Sequence, residues 1–203
     1  MKQDVPNLSA VFKKKFFCRS TLEVAPDLIG AILCRRLADG TILHAPIVEL
    51  EAYTSDDPAC HAFRGLTKRC EVMFGPGGYS YVYFIYGMYN CLNVVTEPEG
   101  EAGAVLIRAI GTEGGNGPGK LCKTWGITRE HNALSLMDPN GELWIVKGPE
   151  IPKGRIGTSI RVGISQAQDR LWRFYLKDNE FVSVKNVRPH KPKKKQSQNN
   201  RQG

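Results

Sequence analysis

Residues 80–96, SYVYFIYGMYNCLNVVT, decide how this chain folds. Aromatic and β-branched side chains fill the run, which suits a pleated, half-buried surface better than a helix. Gly87 interrupts it near the middle, so it reads as two strands joined at a bend. Working outward, residues 104–110 (AVLIRAI) are another apolar strand, closed by a Gly-rich loop at 111–119. Upstream, strands at 32–37 and 42–53 flank Ala38-Asp39-Gly40-Thr41, a hairpin with Asp-Gly as its turn. Further short strands are expected at 142–146, 161–164, 172–176 and 181–184, after turn sequences such as DPNG and KDNE. A short helix capped by Ser20 or Thr21 should run to Gly30, and another from Lys120 to Trp125. With no internal repeat and no interdomain linker, the reading is a single α+β domain on a mixed or antiparallel sheet.

The 203 residues lie near the upper end for one domain, and 41% hydrophobic content supports a core without disulfides. The longest apolar run, 28–34, falls far short of the ~20 residues of a membrane span, so no membrane partner is expected. Residues 1–10 carry no apolar signal-peptide core, which predicts a cytoplasmic protein. Cysteines at 18, 34, 60, 70, 91 and 122 include no C-x-x-C pair, so they read as reduced, packed thiols, and no structural metal is expected. The net charge of +8 is a property of one end. Residues 185–203 hold seven Lys/Arg and no acid, leaving 1–184 at +1. That tail should be disordered, serving either as an arm that seeks polyanions or as a solubilising end.

Three constellations compete for chemistry. In the strand around Val48-Glu49-Leu50-Glu51-Ala52-Tyr53, alternation puts Glu49, Glu51 and Tyr53 on one face and Val48, Leu50 and Ala52 on the other. Two carboxylates and a phenol form either a solvated face, the commoner arrangement, or part of a site. His61 follows on a loop as a titratable partner. The second constellation is the tyrosine set Tyr81, Tyr83, Tyr86 and Tyr89. A tyrosine ladder is usually packing, but Tyr86 beside the Gly87 bend would project from a turn, where a ring can wedge between stacked bases. The third, Gly114–Lys120 (GGNGPGK), fits G-x-x-x-x-G-K yet misleads. Leu121 stands where a Mg²⁺-binding hydroxyl is needed, Pro118 removes an amide, and the β-α alternation of such folds is missing.

Taken in order, VELEAY (48–53), MFGPGG (73–78), YVYFIYGMYNCLNVV (81–95), AVLIRA (104–109), GPGKLC (117–122), RVGI (161–164) and WRFY (172–175) resemble the alkyladenine (3-methyladenine) DNA glycosylase family. The resemblance spans roughly residues 12–184. It implies a compact domain around a curved, mostly antiparallel sheet with flanking short helices, distinct from the helix-hairpin-helix glycosylases. Residues 1–184 would be the glycosylase domain and 185–203 a basic tail. It implies Glu51 as general base on the hydrolytic water, with Arg108 and the main-chain carbonyl of Val162 holding that water. Tyr53, His61, Tyr83 and Asn93 would form the damaged-base pocket, Asn93 facing the purine's 2-position. Tyr86 would fill the gap in the duplex, with Met88 and Leu106 near the DNA and pocket. In the short segment 110–117 only seven residues, 110–116, separate the LIRA and GPGKL motifs, where relatives often carry a longer insertion.

The implied activity is that of a monofunctional DNA glycosylase of base excision repair, monomeric, cytoplasmic and nucleoid-associated if bacterial. It would act on double-stranded DNA containing alkylated or deaminated purines, 3-methyladenine foremost, with hypoxanthine and ethenoadenine as further candidates. The chemistry asks for little more. Breaking an N-glycosidic bond builds positive charge on the sugar, so one carboxylate can deprotonate water and favour that charge. No metal or organic cofactor is required. A non-catalytic DNA-binding module would account for the tyrosines and the tail, but not for Glu51. An O-glycosidase could pair Glu49 with Glu51, but neighbours on one strand face would approach a sugar from the same side.

Overall fold

The computed structural model describes residues 7–189, so the tail expectation falls largely outside the described residues. One long strand organises the fold. The hairpin of β1 (Ile32–Arg36) and β2 (Ile42–Thr54) forms across the Asp39-Gly40 turn, Ile32 opposite Pro46 and Arg36 opposite Ile42. Past Pro46, which has no N–H to give a ladder, β2 changes partners.

β3 (Ser80–Ile85), β4 (Tyr89–Thr96) and β5 (Gly103–Ile110) form a meander, and β5 lies antiparallel along the second half of β2. β6 (Leu143–Val146) adds to β1, while β7 (Ile156–Ser159) pairs with β8 (Arg173–Leu176), which covers the other edge of β2 at Glu49–Glu51. The order β3-β4-β5-β2-β1-β6, with β8 and β7 branching from β2, makes one curled antiparallel half-barrel. Among the described residues three short α-helices flank it: α1 (Lys14–Phe17), α2 (Thr21–Asp27) and α3 (Pro118–Thr124).

The main core lies against one face of the sheet. Leu50, Ala52, Val105 and Ile107 pack with Val24 and Ala25 of α2 and Leu121 of α3. Burying a side chain such as Leu50 or Ile107 contributes about 1.5–3 kcal/mol each. A smaller cluster, with Cys60, Cys70, Met73, Tyr81 and Ala104, lies beneath the 55–74 segment. All six cysteines are free.

Several local expectations are corrected. A bulge at Val48 shifts the β2–β5 register, so Ile47 and not Val48 joins Leu50 and Ala52 in the main core. α2 stops at Asp27, with Pro26 in its last turn, and neither Ser20 nor Thr21 caps it. Glu97 reaches across instead, accepting from the Thr21 N–H (2.6 Å) and Thr21 Oγ1 (2.7 Å). α3 begins two residues early because Pro118 suits a first helical turn.

Residues 161–164 are not a strand. Arg161 turns inward to Asp57, and Gly163 adopts φ +75. Residues 181–184 are not one either, because the Ser183 N–H bonds a side chain where a ladder would need it.

Candidate active site

The site grows from the face of β2 opposite the core. Glu49 and Glu51 are both 0% exposed, which overturns the solvated-face reading. Two buried carboxylates demand compensation, and it comes from neighbouring strands. Arg108 of β5 stands at the bulge, where the register step leaves it opposite neither Glu49 nor Leu50. Its Nε donates to Glu49 Oε1 (3.0 Å), and its Nη1 lies 3.3 Å from Glu51 Oε1. Glu51 also accepts from the Tyr53 hydroxyl on Oε2 (2.8 Å) and from the Val162 N–H on Oε1 (2.7 Å). The loop at 161–164 is thus what delivers Val162 to the carboxylate.

Charge states follow from these contacts. Burial alone would raise the Glu49 carboxyl, but the Arg108 and Arg173 charges and their hydrogen bonds hold it below the ordinary range. Burial opposes the Arg108 charge, and Glu51 and Glu49 more than restore it, so its pKa is raised. Burial and then the Glu51 charge push the Tyr53 phenol well up, keeping it a donor to Glu51. His61 is pushed down to about 4 by burial and by Arg69, so its imidazole is neutral at pH 7. Its Nδ1 shares a hydrogen bond with the Tyr81 hydroxyl (2.9 Å), and its ring meets that of Tyr83 edge-on, centroids 4.5 Å apart.

These groups wall a cavity of about 510 Å³. The structure brings together nine of the ten residues named from sequence: Glu51, Arg108, Val162, Tyr53, His61, Tyr83, Asn93, Tyr86 and Leu106 all line it. Met88 does not; it sits 63% exposed on the hairpin tip. Glu49 does not line the cavity, so only one of the two carboxylates an O-glycosidase would pair is presented there. Asn93 uses Nδ2 on the carbonyls of Tyr81 (3.0 Å) and Cys91 (3.3 Å), tying β3 to β4.

The Tyr86 bend is unusual. The Met88 N–H bonds the Ile85 carbonyl (3.2 Å), and both residues between are left-handed, Tyr86 at φ 54 and Gly87 at φ 67. That backbone suits primed hairpin turns, where Asn or Gly is ordinary and tyrosine is strained. Tyr86 is also 80% exposed, so no packing repays the strain.

Sequence reasoning missed part of the wall. Gly117, Pro118, Gly119 and Lys120, set aside as a false phosphate loop, close one side of the cavity. The signal was Gly119: a Cβ there would meet the Tyr89 ring at 2.8 Å, so only glycine lets α3 approach the hairpin. Arg161 was overlooked as well. It is paired with both oxygens of buried Asp57, and its guanidinium lies 4.6 Å from the Tyr53 ring centroid. Among the described residues no three His, Cys, Asp or Glu side chains converge as a metal site, and no helix is long and apolar enough to cross a membrane.

A half-barrel that sets one buried carboxylate in an aromatic-walled cavity is suited to hydrolysis beside a planar ring. Comparison with known proteins narrows this class. The family model described as methylpurine-DNA glycosylase matches residues 15–115 and 111–180, the two pieces meeting in the short 110–117 segment. The chain belongs to the methylpurine-DNA glycosylase family and is a DNA glycosylase.

It is 39% identical to a protein of Herpetosiphon aurantiacus, covering 87% of this chain and 90% of the relative. It is 43% identical to one of Carboxydothermus hydrogenoformans, over 85% and 98%. Against one of Rickettsia felis it is 45% identical, over 85% and 96%. Each of the three bears the name "Putative 3-methyladenine DNA glycosylase".

Proposed function

We propose that this protein removes 3-methyladenine and related alkylated or deaminated purines from duplex DNA, by hydrolysing the N-glycosidic bond with a water activated by Glu51. The observation that carries the reading is Glu51 itself. It is a fully buried carboxylate on the cavity wall, oriented by Tyr53, Val162 and Arg108. In the proposed reaction a lesion nucleotide swings out of the stack into the cavity, where Tyr83 and His61 supply aromatic surface. An electron-poor alkylpurine is well matched to such walls. Tyr86, strained and exposed at the hairpin tip, fills the vacated stack, and Met88 and Leu106 border the DNA and the pocket.

Glu51 takes a proton from water as the oxygen bonds to C1′ and the C1′–N9 bond breaks. The electron pair leaves with the base, which departs neutral if it was cationic and as an anion otherwise. General-base help of this kind is typically worth ~10²–10⁴-fold. The Glu51 charge also favours the developing sugar cation.

Incubating the protein with methylated duplex DNA tests the reading. It expects free 3-methyladenine and an intact strand carrying an abasic site. Lesion binding without base release would leave a DNA-binding module in its place.

A further inference from the structure

Glu49 is buried, does not line the cavity, and has no part in the chemistry above. Yet four donors converge on it. Its Oε1 accepts from Arg108 Nε (3.0 Å), Arg173 Nε (2.7 Å) and Ser183 Oγ (2.9 Å), and its Oε2 from the Ser183 N–H (2.5 Å). Arg173 is fixed in turn by Ser159 Oγ (2.9 Å) and the Val184 carbonyl (2.6 Å). β2, β5, β8 and the segment after Phe181 therefore meet at one carboxylate.

Charge balance alone does not require this geometry, since two carboxylates and two guanidiniums are neutral in any pairing. What the arrangement adds is direction. A guanidinium is planar and rigid, so holding its Nε edge determines where its other nitrogens point. Arg108 spans the two carboxylates, Nε on Glu49 and Nη1 towards Glu51, with its Nη2 3.4 Å from Ser183 Oγ.

We infer that Glu49, braced by Arg173 and Ser183, is a positioning residue for base release: it fixes the Nε edge of Arg108 and so the Nη1 that faces Glu51. The inference rests on the reading of Glu51 and Arg108 as the chemical centre. It also makes residues 181–184 part of the working site.

Two variants test it in single-turnover release of 3-methyladenine from methylated duplex at saturating enzyme, alongside binding of the same duplex and thermal melting. Glu49→Asp keeps every charge but retracts the carboxylate. A misplacement near 1 Å can slow a reaction about 10²-fold, so release should slow by about tenfold to a hundredfold while binding holds. The double variant E49L/R173M replaces the ion pair with apolar side chains, a change that often preserves stability. It should melt near wild type and still release base at least about tenfold slowly, because Arg108 has lost its anchor.

A merely structural role predicts that rate returns with stability. A rate within about twofold of wild type in either folded variant overturns the inference. If neither folds, Ser183→Ala decides: several-fold slower release supports it, and a wild-type rate overturns it. Should the wild-type protein itself release no base, the reading of the site fails, a separate result.

Discussion

Asp57→Asn strikes the support beneath Glu51 without touching the cavity. Asp57 and Arg161 have fully buried side chains. Arg161 donates through both terminal nitrogens to Asp57 and through Nη1 to the Ala52 carbonyl (2.9 Å), while its Nε has no partner. Its guanidinium also lies over the rings of Tyr53 (4.6 Å) and Trp172 (5.2 Å), and the next residue is Val162. Removing the Asp57 charge leaves a buried cation without its counterion.

Breaking such a pair costs about 3–5 kcal/mol. Asparagine keeps one acceptor, which places the loss at about 3 kcal/mol. At about 2–4 °C per kcal/mol for a domain of this size, the melting temperature should fall by roughly 6–12 °C. Thermal unfolding followed by circular dichroism reads it directly. Replacing both partners with apolar residues, D57L/R161M, should recover most of that loss. A fall under about 2 °C for Asp57→Asn would refute the argument, because the pair could not then be the anchor of the Val162 loop.

Other consequences follow from the hairpin, the cavity floor and the imidazole. Tyr86→Ala should lose about 2 kcal/mol of compensation for unstacking, roughly thirtyfold in base release. The loss should shrink for lesions in mismatches, whereas equal losses would make the ring structural only. Asn93→Ala should raise release of guanine relative to hypoxanthine by about tenfold. Because Nδ2 is already engaged by two carbonyls, exclusion here is steric, and an unchanged ratio would move the discrimination elsewhere. His61 titrates at about 4 in the fold against an ordinary 6.5, so the unfolded chain binds the proton first as pH falls. Its contribution to stability is complete above about 6.5 and declines towards 4. His61→Gln should flatten that decline in denaturant titrations, and an equally steep one would place its cause in other groups.

The strands whose side chains alternate around a hydrophobic face were legible in sequence. The meander of 80–110 and the Asp-Gly hairpin form with ends shifted by at most a few residues. Segments whose backbone serves the site were not. The 161–164 run is extended in composition, but buried ion pairing at Arg161 and the left-handed Gly163 take it out of any ladder. Ser183 gives its N–H to Glu49 for a similar reason. The burial of Glu49 and Glu51 was hidden because alternation gives a face, not its covering, and β8 and Arg173 arrive from more than 120 residues away in sequence. The roles assigned to the cavity residues came from motif resemblance. Their convergence on one cavity depends on a curled sheet that no local pattern specifies.

Glu51→Gln is the most direct measurement of the central claim. Glutamine keeps the shape and can accept from Tyr53 or Val162, but cannot take a proton from water. This variant should bind methylated or hypoxanthine-containing duplex at least as well as wild type. Base release should be ~10²–10⁴-fold slower, most severely for uncharged hypoxanthine and less so for cationic 3-methyladenine, which leaves more readily. Near-normal release of hypoxanthine by the glutamine variant would contradict the account.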